Sequence, residues 1–354
     1  MNNRTLIAMS GGVDSSVAAY LTKKNGFDSI GITLKLFDSD TDEISEKTCC
    51  SLDDVEDARA VANKLGIPYY VLNFKSNFHE NVIKRFVDAY TNGCTPNPCI
   101  DCNKYIKFLR LMDKAKETDC DHVVTGHYAR IEKDGGRFLL KKAVDKTKDQ
   151  TYVLYSLTQE QLTHTMFPLG SLTKTQVREL AAECGFVNAA KKDSQDICFV
   201  PDGDYAGFIE KYTKKQFPHG DFIDANGNVI GTHSGIIRYT IGQRKGLGVS
   251  FGKPVYVCDI NSKNNTVTLG DNESLFSKSL IADEINLIAC DRLDKPTKLS
   301  ARIRYSQKEQ PARIEQIDET HLRVDFDEPQ RAVTRGQAIV IYDGDTVVGG
   351  GRIA

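Results

Sequence analysis

The sequence predicts an α/β fold: a doubly wound, mostly parallel, Rossmann-like sheet in the N-terminal half, and β-rich structure in the C-terminal half. Two observations lead to this prediction. Up to about Asp202, strand-like apolar runs alternate with helical patterns, which is typical of a parallel sheet covered by helices on both faces. Beyond that point, turn signals separate short alternating runs, as in antiparallel sheets.

The elements of the first half follow from residue type and spacing. Four runs rich in β-branched and apolar residues predict strands at Thr5–Met9, Ile30–Phe37, Tyr69–Phe74 and His122–Thr125. Apolar residues at helical spacing predict helices at Asp53–Leu65 and Phe78–Tyr90, and a further helix beginning near Val17. Ligands of such a sheet bind at the carboxyl ends of its strands.

The second half carries one helical stretch, Asp204–Tyr212, and then hairpin turn signals such as Asn226-Gly227 and Asp343-Gly344. Apolar and polar residues alternate at Ala301–Tyr305 and His321–Phe326, which predicts half-buried antiparallel strands. We place domain boundaries near residues 205 and 275.

Composition excludes several classes of protein. The 354 residues are too many for one compact core, and 46 basic against 48 acidic residues give a net charge of −2, which excludes a generally basic nucleic-acid binder. We expect no secretory leader and no membrane span, and therefore a cytoplasmic protein. Ten cysteines are too dilute for a secreted disulfide scaffold, so the thiols indicate packing, metal binding or catalysis.

The loop Ser10-Gly-Gly-Val-Asp-Ser-Ser16 lies between a predicted strand and a predicted helix. Its glycines let the backbone approach an anion, and the helix N-terminus adds N–H donors and a partial positive charge. The chain contains neither a Walker A motif, with its lysine, nor a dinucleotide fingerprint. The complete S-G-G-x-D-S pattern resembles the pyrophosphate loop (PP-loop) of the ATP-pyrophosphatase superfamily, whose members split ATP between its α and β phosphates and transfer AMP to an oxygen.

Two cysteines are candidates for reactivity. Cys102 follows Pro96 and Pro98, so we expect it on a rigid loop just ahead of a helix through Ile106 and Leu109, where a thiolate is favoured. Cys198 lies where a polar segment enters an apolar one. Taken alone, each could equally be structural. The cysteines in ordinary helix or strand contexts are expected to pack: Cys120, Cys184, Cys258 and Cys290.

Seven motifs together resemble one family along nearly the whole chain. They occur in the order and at roughly the spacings of the bacterial tRNA-uridine 2-sulfurtransferases, the tRNA-specific 2-thiouridylases: MSGGVDSS, TPNPCIDCNK, TGHYAR, KDQTYVLYSL, KDSQDICFV, YTIGQRKGLG and ARIRYSQ. The resemblance implies three domains: a PP-loop catalytic domain at residues 1–205, a small central β-rich domain at 206–275 and a C-terminal antiparallel β-barrel at 276–354. It implies ATP-dependent 2-thiolation of the wobble uridine of tRNA, with ATP and Mg²⁺ as cofactors.

The resemblance also assigns roles. Cys198 would carry a persulfide received from a cysteine desulfurase or relay protein, and Cys102 would promote sulfur release; the enzyme would act as a monomer away from membranes. The implied nucleotide site comprises Ala8, Met9, Ser10, Gly11, Gly12, Val13, Asp14, Ser15, Leu34 and Gly126. The implied tRNA contacts are Asn97, Pro98, Cys99, His127, Lys148, Asp149, Gln150, Arg304, Tyr305 and Gln337.

One position departs from the better-known family pattern, in which an aspartate, a candidate general base, stands where this chain has Cys99. Cys49 and Cys50 add a second thiol pair upstream. Three interpretations stay open: a zinc or iron-sulfur site, thiol relay or redox protection, and no special role.

Two other functions compete. A small-molecule adenylating ligase of the same superfamily would need neither paired reactive cysteines nor a β-rich C-terminal half. A catalytically idle tRNA-binding or cluster-sensing module would have no reason to keep Asp14 and Ser15 in an intact loop.

Overall fold

The structure is a computed structural model that describes residues 3–37, 52–193, 197–249 and 252–354. The chain divides into two compact units. The first comprises Met1–Ile83, Cys99–Asp202 and Asp345–Val347, and the second comprises Lys84–Pro98, Gly203–Gly344 and Val348–Ala354.

The first unit is built on a five-stranded parallel sheet with the strand order β3-β2-β1-β4-β7. A separate antiparallel hairpin, β5–β6, pairs at Lys141 with Thr346. The strands are β1 (Arg4–Ala8), β2 (Asp28–Lys35), β3 (Tyr69–Asn73), β4 (His122–Val124), β5 (Ala129–Asp134), β6 (Arg137–Lys142) and β7 (Thr165–Met166).

Helices cover both faces of this sheet. In the described residues of both units, the α-helices are α1 (Val13–Lys24), α2 (Leu52–Leu65), α3 (Lys75–Phe78), α4 (Lys84–Thr91), α5 (Pro98–Asp101), α6 (Leu111–Glu117), α7 (Gln159–Thr163), α8 (Lys174–Glu183) and α9 (Tyr205–Thr213). The π-helical stretches are His79–Ile83 and Cys102–Arg110, and the 3₁₀ turns are Thr151–Val153, Ile236–Arg238 and Glu273–Leu275.

Successive residues of β1 point to opposite faces, as the pleat requires. Ile7 is fully buried in a core with residues of α1, α2 and α8, whereas Leu6 is buried on the other face against α6. The sheet is therefore doubly wound, as predicted.

One helix boundary was predicted wrongly. Helix α1 begins at Val13 rather than near Val17, because Gly12, in an extended conformation, is the residue that precedes the first turn. Ser15 and Ser16 lie inside the helix and donate their hydroxyls back to the Gly12 carbonyl oxygen at 3.0 Å.

The second unit contains a four-stranded sheet of order β10-β11-β8-β9 and a closed barrel of six antiparallel strands, in which β12 pairs with both β15 and β17. The predicted fold class is confirmed. These strands are β8 (Gly220–Ile223), β9 (Val229–His233), β10 (Tyr256–Asn261), β11 (Thr266–Gly270), β12 (Phe276–Leu287), β13 (Thr297–Arg302), β14 (Gln310–Gln316), β15 (Leu322–Arg331), β16 (Ala338–Asp343) and β17 (Thr346–Ile353).

The alternating residues of the barrel strands point inward and form its core, as the sequence pattern predicted: Val324 and Phe326 are buried, and Arg323 and Asp327 are exposed. The strand predicted at Ala301–Tyr305 ends earlier, at Arg302. Within the described ranges, none of the helices combines the length and the apolar character that a bilayer crossing demands.

Candidate functional site

The glycine loop after β1 is shaped by a close contact with α2. Gly11 has a φ of +73°, and a Cβ at this position would lie 2.2 Å from the Asp54 carbonyl oxygen and 2.7 Å from the Asp54 Cα. A side chain is therefore excluded at Gly11 both by the backbone conformation, which favours glycine, and by the lack of room for a Cβ. Gly12, in contrast, has only the Ser10 Oγ nearby among the described residues, at 3.5 Å from a Cβ, so this side of the loop is open within the described structure.

The loop after β4 meets the loop after β1. A Cβ on Gly126 would lie 2.8 Å from the Asp14 carbonyl carbon and from the Ser15 backbone nitrogen. Strands β1 and β4 are neighbours, and the strand order reverses between them, which in open parallel sheets creates a crevice for a ligand. Gly126 thus lies beside the loop.

The N-terminus of α1 offers donors to an anion. Gly12 provides no side-chain cap, and Ser16 is the first residue whose N–H bonds to the Gly12 carbonyl oxygen. The Ser15 hydroxyl accepts a hydrogen bond from the Ser10 N–H at 3.1 Å, which folds the loop back over the helix start. The N–H groups of the first turn and the helix dipole together favour negative charge here.

Residues on either side of the loop complete the predicted nucleotide site. Met9 donates its N–H to the Ile32 carbonyl oxygen at 2.7 Å and accepts a hydrogen bond from the Thr33 hydroxyl at 2.6 Å. Leu34 lies two residues beyond the Ala8–Ile32 pair, near the carboxyl end of β2. The predicted set from Ala8 to Ser15, Leu34 and Gly126 therefore occupies the carboxyl edge of three adjacent strands.

The far side of the loop is held by residues that the sequence did not single out. Asn188, which is 3% exposed, donates from Nδ2 to the Gly11 carbonyl oxygen and to the Ser16 hydroxyl, both at 2.9 Å. Lys191 pairs with Asp54 at 2.7 Å and Asp57 at 2.6 Å, and its Nζ lies 3.4 Å from the Gly11 carbonyl oxygen.

Asp14, in the first turn of α1, belongs to a cluster of charges. Its carboxylate accepts hydrogen bonds from the Tyr128 hydroxyl at 2.8 Å and from the Lys174 ammonium at 2.8 and 2.9 Å. The same ammonium lies 2.7 Å from Asp193, which also pairs with Lys148 at 2.7 Å and Arg178 at 3.0 Å. We call Asp14, Lys174 and Asp193 the lysine bridge.

The groups around the lysine bridge determine the protonation states of Asp193 and of the neighbouring Tyr128. Burial alone would raise the pKa of Asp193, but hydrogen bonds from Lys148 and Lys174 outweigh it and hold the pKa at about 2. Burial and the nearby Asp14 carboxylate raise the pKa of Tyr128, so this phenol keeps its proton and donates to Asp14. Asp193 is a carboxylate at neutral pH.

Four residues predicted to contact tRNA lie in the first unit, and their side chains bond to other groups of the protein. His127 is 8% exposed, shares a 2.7 Å hydrogen bond with Thr125, and has its pKa lowered by burial and by Lys107. Asp149, 9% exposed, accepts from the Ala143 N–H at 3.0 Å, and the Gln150 side chain accepts from the Tyr128 N–H at 2.9 Å. With Lys148 paired to Asp193, these side chains brace the site from within.

The segment that carries Cys102 differs from the prediction. Cys102 is not on a loop: helix α5 begins at Pro98 and continues directly into the π-helical stretch Cys102–Arg110, and Cys102 is buried at 9% exposure. Pro98 initiates the helix because a proline at the first helical position lacks only an N–H that would be unpaired anyway. The next residue, Asn103, fixes the helix by donating to the Val153 carbonyl oxygen at 2.9 Å.

Both cysteine-bearing segments are tied to one aromatic cluster. Phe199, next to Cys198, packs against Phe78 with ring centroids 5.8 Å apart, and both rings are fully or almost fully buried. Helix α3, which carries Phe78, packs against the helical stretch that begins at Cys102. Cys198 itself is half-buried.

The second unit brings three predicted tRNA contacts together. Arg304, Tyr305 and Gln337 line a cavity of about 290 Å³ with Thr95, Thr240, Ser306 and Thr334. Tyr305 is 45% exposed. Arg304 donates to the Ala332 carbonyl oxygen and to the Thr334 hydroxyl, each at 2.8 Å, which orients the guanidinium from behind.

The proline-rich segment ahead of Cys99 is anchored in the same unit. Gln337 donates to the Thr95 carbonyl oxygen at 2.8 Å, and the Thr95 N–H donates to the Arg335 carbonyl oxygen at 2.8 Å. Shortly after Thr95 lie Asn97, which is half-buried, and Pro98, which is buried. Cys99 is exposed.

The cysteines proposed as ligands of a metal ion or cluster lie partly outside the described residues. Among the described residues, no group of three or more His, Cys, Asp or Glu side chains is placed to hold a metal ion. Cys49 and Cys50 of the proposed thiol set lie outside the described residues.

A sequence signal existed for one residue that the sequence reasoning missed. Lys174 is the first residue of α8, after a capping box formed by Thr173 and Gln176. A cation at this position opposes the helix dipole, so it indicates a specific acidic partner. No comparable signal marks Asn188 or Lys191.

Comparison with known proteins matches the whole chain to one family. Three family models cover it: a tRNA methyl transferase HUP domain at residues 3–202, a tRNA methyl transferase PRC-barrel domain at 206–271 and an aminomethyltransferase β-barrel domain at 277–353. Among solved structures, a 4-thiouridine synthetase–RNA complex with bound ATP is 23% identical, covering 56% of this chain and 45% of that chain with a TM-score of 0.39.

Curated relatives are far more similar. The chain is 57% identical to the tRNA-specific 2-thiouridylase MnmA of Clostridioides difficile, covering 100% of this chain and 98% of the relative. It is 53% identical to the protein of the same name from Acetivibrio thermocellus, covering 99% of each. Full-length identity at this level outweighs the methyl transferase wording of the family models, and the chain belongs to the family of the tRNA-specific 2-thiouridylases.

Proposed function

We propose that this protein carries out ATP-dependent 2-thiolation of the wobble uridine of tRNA. The observation that carries the proposal is the intact glycine loop, with its open helix N-terminus and the lysine bridge, in a chain whose full length matches 2-thiouridylases. The finer steps, adenylation and persulfide transfer, are part of the proposal.

ATP is proposed to bind at the carboxyl edge of the parallel sheet. The N–H groups at the start of α1 would hold the pyrophosphate part, because they point toward the open side of Gly12 and the helix dipole favours anions. Leu34, half-buried beside the end of β2, would contact the nucleoside. Gly126 leaves room for the chain of phosphates by bringing no side chain to the loop.

The residues present fit a magnesium ion. Carboxylate oxygens are the ligands that Mg²⁺ prefers alongside phosphate, and Asp14 presents its carboxylate at the loop itself. The ion would neutralise charge on the phosphates. Tyr128 and Lys174 hold the Asp14 oxygens in place for that role.

Adenylation makes the uracil oxygen O2 a leaving group. In the proposed step, O2 attacks the α phosphate of ATP, the bond from that phosphate to the β phosphate breaks, and pyrophosphate leaves into the glycine loop. The loop serves this step by stabilising the negative charge of the leaving group. The base that accepts the uracil proton is unassigned, because the family's aspartate is replaced by Cys99 in this chain.

Sulfur transfer then uses two thiols. The outer sulfur of a Cys198 persulfide attacks C2 of the activated uracil, and AMP departs with the oxygen. The Cys102 thiolate attacks the Cys198 sulfur, the bond between the two persulfide sulfurs breaks, and the sulfur stays on C2 as the thiocarbonyl. A Cys102–Cys198 disulfide results, and an external thiol must reduce it before the next turnover.

The cavity of the second unit is proposed to contact tRNA. Arg304 can pair with a phosphate, since its guanidinium is already held by the Ala332 carbonyl oxygen, and exposed Tyr305 can stack on a base. Asn97, Pro98 and Cys99 are proposed to meet the target base. His127 and Asp149, being buried, would support tRNA binding by bracing their segments rather than by touching RNA.

The remaining predictions about organisation stand as proposals. We propose domains at residues 1–205, 206–275 and 276–354. We also propose a monomeric, cytoplasmic enzyme without membrane contact, which receives sulfur from a cysteine desulfurase or a persulfide relay protein. A zinc or iron-sulfur site that includes Cys49, Cys50 and Cys99 would show as bound metal in elemental analysis of anaerobically purified protein.

The deciding assay incubates the protein with ATP, Mg²⁺, a persulfide donor and unmodified tRNA, and analyses the nucleosides by mass spectrometry. We expect 2-thiouridine, and its loss in Cys198→Ser and Cys102→Ser. The matched control is Cys258→Ser, which removes a half-buried thiol and keeps the hydrogen bond to the Tyr256 carbonyl oxygen.

Three results would contradict the proposal. Formation of 2-thiouridine by Cys198→Ser at the parent rate would remove this thiol from the mechanism. Pyrophosphate release that depends on a small carboxylic acid rather than on tRNA would favour the adenylating ligase, and a methylated nucleoside would favour methyl transfer.

A further inference from the structure

The carbonyl oxygens of the two loop glycines are held from one side of the glycine loop. Asn188 donates from Nδ2 to the Gly11 carbonyl oxygen and to the Ser16 hydroxyl, both at 2.9 Å. The Ser16 hydroxyl donates in turn to the Gly12 carbonyl oxygen at 3.0 Å. One buried amide therefore fixes the direction of two successive carbonyl groups, the first directly and the second through a hydroxyl.

The direction of each carbonyl group also sets the direction of the N–H group that follows it. A peptide unit is planar and trans, so its C=O and N–H bonds point in opposite directions. Because the Gly11 carbonyl oxygen is turned toward Asn188, the Gly12 N–H points to the other side of the loop. Because the Gly12 carbonyl oxygen is turned into the helix, the Val13 N–H points outward from the helix start, where an anion can accept it.

We infer that Asn188 is a positioning residue, which holds the peptide between Gly11 and Gly12 in the orientation that presents N–H groups to the pyrophosphate part of ATP. This inference rests on the proposed function, because it takes ATP as the ligand of the glycine loop. It adds a residue that no motif marks and that acts only through the loop.

The sequence of the loop does not by itself select this orientation. Gly11 has a φ of +73° and Gly12 a φ of −88°, and glycine adopts φ values of either sign. A flip of the peptide between the two glycines would therefore meet no Cβ of its own. The flipped peptide would point a carbonyl oxygen at the phosphates and repel them, so a group outside the loop has to exclude it.

Asn188 is suited to this role by its burial and by the anchoring of its segment. It is 3% exposed, and its carbonyl oxygen accepts the Lys191 N–H at 2.9 Å in a turn. Phe186, two residues earlier, is buried against α1, with its ring centroid 6.5 Å from that of Tyr20. A carbonyl oxygen only accepts hydrogen bonds, so the amide must present Nδ2 to Gly11. Its Oδ1 is then buried without a partner among the described residues, a cost that an apolar side chain would avoid.

Lys191 does not replace the contact that Asn188 makes. Its ammonium is bound by Asp54 at 2.7 Å and Asp57 at 2.6 Å, and it lies 3.4 Å from the Gly11 carbonyl oxygen. Lys191 can attract a phosphate by its charge, whereas Asn188 is neutral. A loss of affinity on replacing Asn188 therefore removes no charge, and it should persist when the salt concentration is raised.

The experiment compares two probes that report on different parts of the nucleotide site. Calorimetry measures the affinity of the whole chain for pyrophosphate with Mg²⁺, which binds at the loop, and for adenosine, which carries no phosphate. Asn188→Leu keeps a side chain of similar size without a donor, and we expect its pyrophosphate affinity to be at least about tenfold lower, as expected for one or two hydrogen bonds. Its adenosine affinity should equal that of the parent. Ser16→Ala removes only the link to Gly12 and should lower pyrophosphate affinity about threefold.

The matched control is Asn103→Leu. Asn103 is 2% exposed, donates from Nδ2 to the Val153 carbonyl oxygen at 2.9 Å, and also has a buried Oδ1 without a partner in the described part of the chain. It lies in the same unit, so its replacement removes an equivalent buried asparagine. We expect a fall in the urea midpoint comparable to that of Asn188→Leu, and the parent affinity for pyrophosphate.

Three outcomes overturn the inference. The parent affinity for pyrophosphate in Asn188→Leu would show that the loop keeps its orientation without the amide. Equal losses of pyrophosphate and adenosine affinity would reduce Asn188 to a structural role. Should Asn188→Leu fail to fold, Ser16→Ala decides alone, and it must lose pyrophosphate affinity while it keeps adenosine affinity. If the parent protein binds neither pyrophosphate nor ATP, the proposed function fails and the inference falls with it.

Discussion

Replacing Gly11 by alanine tests the geometry of the glycine loop directly. An alanine Cβ would lie 2.2 Å from the Asp54 carbonyl oxygen and 2.7 Å from its Cα, and these are backbone atoms that cannot rotate away. The residue also has a φ of +73°, a conformation that costs an L-residue about 1–2 kcal/mol. Insertion of a methyl group into a packed contact adds about 1–3 kcal/mol, so we expect a total of about 2–5 kcal/mol.

Two other glycines of the first unit separate the two contributions. Gly26 has a φ of +83° and no atom of the described residues within 4 Å of a Cβ, so Gly26→Ala is expected to carry only the conformational cost, about 1–2 kcal/mol. Gly12 has an ordinary φ of −88°, and in the described part of the chain a Cβ would meet only the Ser10 Oγ, at 3.5 Å. Gly12→Ala should therefore leave stability within about 0.5 kcal/mol of the parent.

Urea unfolding followed by circular dichroism measures the three variants, and calorimetry measures their affinity for ATP. We expect Gly11→Ala to be the least stable and to bind ATP at least ten times more weakly, because the loop must move away from Asp54. Gly26→Ala should bind ATP like the parent. Equal urea midpoints for Gly11→Ala and Gly26→Ala would show that the contact between Gly11 and Asp54 does not exist in solution.

Three further predictions follow from single contacts. Tyr128→Phe removes a 2.8 Å hydrogen bond to the Asp14 carboxylate. We expect calorimetry to show an ATP affinity roughly fivefold to thirtyfold lower, equivalent to about 1–2 kcal/mol. An unchanged affinity would contradict the role of Asp14. Arg304→Ala should weaken tRNA binding in filter assays and reduce the slope of log affinity against log salt concentration by about 0.7–0.9 per lost phosphate contact. Arg292→Ala, which removes a 68% exposed side chain, is the control and should leave the slope unchanged. Identical slopes for Arg304→Ala and the parent would mean that Arg304 touches no phosphate. Asp193, with its pKa held at about 2 against about 3.9 when unfolded, stabilises the fold above pH ~4 and loses this contribution as the pH falls from about 4 to about 2. Urea midpoints across that window should fall more steeply in the parent than in Asp193→Asn, and parallel curves would refute the assignment.

The local parts of the structure could be predicted from the sequence because they depend on short-range patterns. The run predicted as Thr5–Met9 is the strand Arg4–Ala8, and the helix predicted at Asp53–Leu65 is Leu52–Leu65. Alternation at His321–Phe326 correctly gave an inward-facing barrel strand, Leu322–Arg331. In each case the pattern of burial along one element was sufficient.

The errors occurred where local signals competed. The loop residues after Gly12 led to a predicted helix start near Val17, but Gly12 already provides the extended residue from which α1 starts. Pro98 read as the end of regular structure, whereas proline also fits the first turn of a helix, and the helix therefore runs through Cys102. Both errors concern residue types that serve two positions at a helix start.

The surroundings of the site depend on contacts that no local pattern contains. Lys174 reaches Asp14 across 160 positions, and Asn188 reaches Gly11 across 177. Sequence motifs could mark Asp14 and Gly11 as loop residues, but they could not identify these partners. Burial of Asp149 was equally invisible, since aspartate is more often exposed.

These distant contacts explain how a phosphate loop can work without the lysine of a Walker A motif. In this chain, the helix after the glycines begins with Val13 and Asp14, and cations come from elsewhere: Lys174 from the start of α8 and Lys191 from the loop beyond it. Each lysine is already paired with carboxylates, so the loop carries little excess positive charge before ATP arrives. Lys174 contacts both Asp14 and Asp193, so the cation beside the loop is held by residues from two distant parts of the chain. Tertiary structure thus places beside the loop the cations that its own sequence lacks.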